Sequence, residues 1–374
     1  MRRARIGLVL AALLALSLVP PASAGGHPRD LLLTTVTSAN YFSVADAGSL
    51  DEIAQIGGDA TAPSVPEVMP GGRKVYVQYA GKDKGSVGVF DVRSLRLTHH
   101  LEPSGNIGDR SARIQRDGRF YYYASIPDGD LTQFDTRTDR VSKVFAGLGN
   151  IFTVSPDGAT IFVSGETDLS AVDARTGQVL GTVPLPSGGV PLVNGGVGWL
   201  MISPDGTTVV KMSQPVAVLD VRDRAHMTLL GTVPVGSNPT LGDISPDSRQ
   251  LWVPNSGDGT ISVIDLHSLA VVHTIETGRY LTALTFDPSG RHVYVAQDRP
   301  GGIGPNQADL VLLYVGQVAA GQFTAPERGQ YTSRPVLDTP GRVVKYDVAG
   351  YRLSSAEPLL TVTVPVQLVA FRVR

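Results

Sequence analysis

A turn signature recurs six times along this chain and constrains its fold more than any other feature. It reads Met69-Pro70-Gly71-Gly72, Gln115-Arg116-Asp117-Gly118, Ser155-Pro156-Asp157-Gly158, Ser203-Pro204-Asp205-Gly206, Ser245-Pro246-Asp247-Ser248 and Asp287-Pro288-Ser289-Gly290. Successive starts lie 46, 40, 48, 42 and 42 residues apart. Proline presets φ and glycine supplies a positive φ, so each copy predicts a tight turn between two strands. A short β-rich run follows every turn, such as Val75-Tyr76-Val77, Ile161-Phe162-Val163 or Leu251-Trp252-Val253. A second run then ends in aspartate, at Asp91, Asp135, Asp173, Asp220, Asp265 and Asp347, and Ser43-Val44-Ala45-Asp46 adds a seventh copy. Only the last interval between these aspartates, 82 residues, is abnormal.

Seven copies of a four-strand unit at this period predict an all-β fold, a seven-bladed β-propeller of four-stranded antiparallel blades. The strand pattern excludes helical solenoids, and the period excludes a leucine-rich horseshoe. The first copy begins at Leu31 without an innermost strand, while Val366 to Val373 reads as an unpaired strand. Closure of the ring by the C-terminal strand is therefore expected. Residues 25–374 form one propeller domain on this reading, with an insertion at about 299–341 in the last blade. Gln307 to Val315 reads as a strand within that insertion. So long a loop is expected at the channel mouth, as a cap over a pocket or as a dock for a partner.

The first 24 residues read as an export signal. Arg2, Arg3 and Arg5 form a positive segment, Ile6 to Val19 an apolar one, and Ala22-Ser23-Ala24 a small-residue cleavage site after Pro20 and Pro21. An apolar run of this length falls short of the roughly 20 residues that span a bilayer. No second stretch reaches that length, so a protein secreted or periplasmic, without a membrane span, is expected. Removal of the signal leaves 29 basic against 34 acidic residues. A mildly acidic chain argues against nucleic acid as a partner, since phosphate binding needs clustered Lys and Arg. There are no cysteines, which excludes disulfides, thiolate nucleophiles and Cys-ligated metals.

The stretch Val233-Pro234-Val235-Gly236-Ser237-Asn238-Pro239, then Ile244-Ser245-Pro246-Asp247, Leu251-Trp252-Val253-Pro254-Asn255 and Gly259-Thr260-Ile261-Ser262-Val263-Ile264-Asp265 resembles the bacterial YVTN-type propeller repeat. Partial copies occur at 151–182 and 287–297, and the resemblance covers nearly all the chain after the signal. The resemblance implies a fold within the superfamily of lactonases, amine dehydrogenase heavy chains and haem d1 propellers. It implies several uses: a secreted binding or scaffold module, a lactonase-like hydrolase or lyase, or the propeller subunit of a periplasmic dehydrogenase. A shared fold does not choose among them.

The recurring aspartates look like a carboxylate array, but five continue as Asp-x-x-Ser/Thr, the pattern of an Asx-turn. They are read as structural. The seven histidines show no metal-binding spacing, and His99 and His100 point to opposite faces of a strand. No G-x-S-x-G elbow or phosphate-binding loop is present. No metal and no cofactor are expected on the chain, and no catalytic residue is assigned. What remains is a column on the innermost strands: Glu67, Arg113, Thr153, Met201, Asp243, Thr285 and, in the expected closing strand, Val369. Its sequence neighbours are apolar, so alternation predicts this column in the channel and the neighbours in the blade cores. Arg113 is expected between the Glu67 and Asp243 carboxylates. Nearer the mouth lie Arg110, Asn150, Trp199, Asn238, Arg279 and Tyr280, a mix of guanidinium, amide and aromatic groups suited to a small polar or anionic ligand. The expected ligand contacts are Arg110, Asn150, Trp199, Asn238 and Tyr280, with Glu67, Arg113 and Asp243 deeper. The expected partner is a small molecule or another protein at the mouth, and the chain is expected to be a monomer.

Overall fold

The computed structural model describes residues 29–36, 41–57, 63–70, 72–79, 86–92, 94, 96–101, 107–125, 129–149, 151–165, 167–186, 199–300, 310–318, 341–354 and 360–362. Among them every regular element is a strand. They form seven antiparallel sheets, one per sequence repeat. Blades two to six each take four consecutive strands, beginning with inner strands at Pro63–Val68, Ile107–Ile114, Phe152–Val154, Leu200–Ile202 and Asp243–Ile244. The inner strands of neighbouring blades touch around the whole ring, including the step from blade seven through Leu310–Val318 to Pro63–Val68. The molecule is a seven-bladed β-propeller. No helix among the described residues is long and apolar enough to cross a membrane.

The recurring turn behaves as its sequence requires. In all six copies the fourth residue has a positive φ, and its N–H donates to the carbonyl of the first at 2.7–3.0 Å. Where the first residue is serine, its hydroxyl donates to the turn aspartate and accepts from the next strand's N–H, as in Ser203 with Asp205 and Thr208. The third-strand aspartates close the outer hairpins. Asp173 Oδ1 accepts from the N–H groups of Arg175 and Thr176, and Asp265 Oδ1 from those of His267 and Ser268. These backbone bonds hold both carboxyls below the usual carboxylate range. One residue before each aspartate, blades one to six carry a register shift against the outer strand. A bulge at that point increases the twist of the outer edge, which protects it from pairing with other chains.

Two features of the ring differ from the sequence expectation. The strand that completes blade one is Leu310–Val318, from within the 299–341 insertion, and not the C-terminal strand. It runs antiparallel to Arg29–Val36, pairing Leu32 with Tyr314 and Val36 with Leu310. Val366 to Val373 lies outside the described residues. In blade seven the second strand, His292–Pro300, therefore pairs with the third, Gly341–Asp347, across a crossover that visits blade one. The outer edge of blade seven is split between Arg352–Leu353 and Leu360–Val362. The apolar run Leu310 to Val315 was legible as a strand. Which sheet it joins is decided by the open edge of blade one, whose Leu31, Leu32 and Leu33 are buried.

The second correction concerns direction. The column of Glu67, Arg113 and Asp243 does not line the channel while its neighbours face a blade core. A propeller blade stands edge-on to the axis, so its two faces meet two neighbouring blades and only the strand edge meets the channel. Glu67 pairs with Tyr76, and Tyr76 stacks on Tyr121 of blade three, with ring centroids 4.7 Å apart. Ile114, from the alternate set, packs back against blade two in the same cluster. Alternation thus sorts inner-strand residues between next and previous blade.

Candidate functional site

The charged inner-strand residues are built into the joints between blades. Glu67 has no exposed surface, and its Oε2 accepts from the Ile114 N–H at 3.3 Å. The Arg113 guanidinium, 12% exposed, lies 3.8 Å from Glu67 Oε1. It also donates to the carbonyls of Ala112 at 2.7 Å and Leu200 at 3.1 Å. The second bond carries it past blade four to blade five. Burial pushes the Glu67 carboxyl up to about 8, against the lowering effects of Arg113 and the Ile114 N–H.

Asp243 is not the second carboxylate beside Arg113. It sits three blades further on and repeats the role of Glu67 there. Its Oδ2 accepts from the Phe286 N–H at 3.0 Å and from the Thr285 hydroxyl at 3.4 Å, while Oδ1 accepts from the Ile244 N–H at 2.8 Å. Ile114 and Phe286 hold the same repeat position, immediately before the six-fold turn. A carboxylate on one inner strand therefore caps the same N–H of the next blade in both places. This device was not legible in sequence, because it depends on neighbouring blades.

Of the residues expected at the mouth, Trp199 immediately precedes the inner strand of blade five, and Asn238 lies in the linker before the inner strand of blade six. Trp199 is half-buried, packed against core clusters that bring together blades five and six and blades one and seven. The linker from blade five to blade six crosses beside it. Asn238 in that linker has a φ of 51°, and its carbonyl accepts from the Ser256 N–H and hydroxyl. The Ser237 N–H and hydroxyl both donate to Asp258. Leu241 then bridges in parallel to Ala283 of blade seven. Gly242 is required here, since a Cβ would lie 2.1 Å from the Trp252 carbonyl oxygen. Arg110 and Tyr280 have backbones in the inner strands of blades three and seven, with side chains outside the described residues. Asn150 lies outside the described residues altogether.

A further cluster joins blades two and three near the turn face. Asp139 follows the Asp135 turn with a φ of 54°, a position that Leu50, Leu269 and Tyr351 occupy in other blades. Its Oδ2 meets Lys74 Nζ at 2.7 Å and His99 Nε2 at 3.1 Å, and its Oδ1 accepts from the Tyr76 hydroxyl at 2.8 Å. Lys74 also donates to the Thr136 carbonyl. Thr98 donates its hydroxyl to the Val89 carbonyl, so it is not poised as a nucleophile beside His99. The cluster is a clamp. Among the described residues no group of three or more His, Cys, Asp or Glu is placed to hold a metal ion.

With this geometry in hand, the chain can be set beside known proteins. No family model matches the sequence, and no curated protein matches it. Solved structures do match. Hydrazine synthase of Kuenenia stuttgartiensis is 16% identical, with a TM-score of 0.56, covering 69% of this chain and 87% of that one. A functionally unknown protein from Desulfotomaculum acetoxidans DSM 771 is 11% identical, with a TM-score of 0.63, covering 91% of this chain and 99% of that one. The likeness is one of fold.

Proposed function

We propose that this chain is an exported propeller of the YVTN type that acts as a binding or scaffold module, taking a small polar ligand or a protein partner at the channel mouth. One observation carries this reading. The charged groups of the inner strands are committed to bonds between blades, Glu67 and Asp243 to backbone N–H groups and Arg113 to the Leu200 carbonyl. They hold a rigid ring, and a rigid ring with adaptable loops at one end is the usual arrangement for recognition. The pinned linker carries Asn238, and its Leu241 belongs to the cluster against which the half-buried Trp199 packs; an amide and an aromatic surface of this kind suit a polar organic ligand. The export part rests on the Arg2 to Ala24 pattern.

A thermal-shift screen of the processed chain tests it, since a ligand that binds only the native state raises the melting temperature. A ligand found this way is expected to quench or shift tryptophan fluorescence. Trp199→Ala is expected to weaken it at least tenfold while melting stays cooperative. Unchanged affinity in Trp199→Ala and in an Asn238→Ala companion would place the ligand elsewhere. For export, the protein recovered outside the cell is expected to begin at Gly25. Full-length chain retained in the cytoplasm contradicts that.

A further inference from the structure

A repeat protein carries its own internal comparison, because each position can be read against its counterparts in the other blades. In the turns that begin with serine, Ser155, Ser203 and Ser245 are buried, while Asp157, Asp205 and Asp247 are exposed. The strand after each of these turns starts with Thr160, Thr208 or Gln250. Blade seven exchanges the two residues: Asp287 is buried and Ser289 takes the exposed place. The strand that follows starts with His292. Asp287 Oδ1 accepts from the N–H groups of Arg291 and His292, and its Oδ2 accepts from the Ser289 hydroxyl at 2.8 Å. The same Oδ2 lies 3.0 Å from His292 Nδ1. The exchange thus moves a carboxylate inward, against an imidazole.

The other ring nitrogen also meets a carboxylate. His292 pairs with Asp347 across the sheet, and its Nε2 lies 3.5 Å from Asp347 Oδ1. The third-strand aspartates of blades one to six each accept from a backbone N–H of their own turn. Among the described residues Asp347 takes no such bond and faces His292 instead. The same sheet face packs on blade one, where the Tyr294 hydroxyl donates to the Ala47 carbonyl and Lys345 Nζ to the Gly48 carbonyl. Burial raises the Tyr294 phenol above its ordinary value, helped by the charges of Asp287, Asp30 and Asp46. The charged groups around His292 are therefore Arg291 on its own strand, Asp287 in the turn, and Lys345 and Asp347 on the third strand. Arg352 lies beyond them on the outer strand, and Asp30 and Asp46 on blade one. Four carboxylates stand against three fixed cations, so one positive charge on His292 brings the joint to neutrality.

We propose that His292 is a pH-sensitive latch at the joint where the ring closes, tying the turn of blade seven to its third strand through Asp287 and Asp347 when the imidazole is protonated. The imidazolium donates from both nitrogens, so both carboxylates are satisfied. The neutral ring donates from one only, and its other nitrogen turns a lone pair toward a carboxylate. An imidazole changes charge between about pH 5 and 8. The stability supplied by the charged latch is present at the acid end of that range and lost as pH rises through it. The tie matters here because His292–Pro300 and Gly341–Asp347 are joined through the excursion to blade one, where other blades use a short loop. This device concerns the ring itself and is independent of any ligand at the mouth.

Denaturant melts of the processed parent, His292→Gln and Asp347→Asn at pH 5.5 and pH 8 test the proposal. The folding equilibrium constant of each variant is expected to trail the parent's by about threefold more at pH 5.5 than at pH 8, the size of a partly exposed ion pair. Glu67 titrates in all three proteins, so its contribution cancels in the comparison. Hydrogen exchange locates the effect: on acidification, and after correction for intrinsic rates, the amides of Val343 to Asp347 are expected to gain protection relative to those of Thr160 to Ser164. That gain is expected to vanish in His292→Gln. Asp347 is half exposed, so Asp347→Asn keeps its fold and carries the test where His292→Gln melts without cooperativity. A deficit equal at both pH values in the variants overturns the latch, as does a protection gain that persists without His292.

Discussion

Deleting Leu310–Val318 is expected to leave no soluble, cooperatively folding propeller. That strand is the inner member of blade one and pairs along the whole of Arg29–Val36. Its loss exposes an edge of blade one and removes the strand that, among the described residues, bridges the inner strands of blades seven and two. Leu31, Leu32 and Leu33, now fully buried, lose cover. Side chains of this kind contribute about 1.5–3 kcal/mol each on burial, so losing several rivals a typical net stability of about 5–15 kcal/mol. Leu313→Pro tests the same point with one change, since proline removes a ladder donor from the middle of the strand. Sedimentation and a thermal melt provide the readout. A soluble deletion variant with the parental melting temperature would show that another segment closes the ring.

The second large effect is expected at Arg113. Arg113→Met leaves the Glu67 carboxyl buried without its counter-charge, and breaking a buried pair from one side costs about 3–5 kcal/mol. The deficit is expected to grow with pH. Glu67 titrates at about 8 in the folded chain against 4.5 as its ordinary value. Its raised value means that the folded state holds a proton that the unfolded state has released. The stability that this proton linkage contributes is fully present below about 4.5 and lost as pH rises through about 8. Without Arg113 the ionised form is harder still to bury, so Arg113→Met is expected to fall furthest below the parent above pH 8. Glu67→Gln is expected to flatten the parent's decline between those values. The double variant Arg113→Met/Glu67→Gln is expected to recover much of the loss, because residues in one joint couple strongly. Denaturant melts at pH 6 and pH 9 decide it. Equal stability of Arg113→Met and the parent at pH 9 would remove the pair from the account of the ring.

Blade number, strand order within blades two to six and the turn chemistry were all legible in the sequence. They depend on residues near one another in the chain: Pro and Gly presetting turn angles, and aspartates folding onto N–H groups two and three residues on. The site was legible only as a set of names. Glu67, Arg113 and Asp243 were found because their neighbours are apolar, but their directions were misread. Alternation in a strand reports two faces, and it cannot say whether a face meets a channel or another blade. His99 was noted in the sequence and Asp139 was not, because nothing local announces that they meet across a blade joint.

The sequence by itself therefore determined the repeat, its turns and the polarity of each strand face, since these are set by dihedral preference and by spacing of two. Tertiary structure alone decided three things. It assigned the closing strand to Leu310–Val318, because several apolar segments fit an open sheet edge and the ring geometry selects one. It turned the charged column into joints between blades, because each blade stands radially. It brought Tyr76, Tyr121 and Tyr123 together in one interface, because facing positions 45 to 47 residues apart become neighbours only when consecutive blades pack.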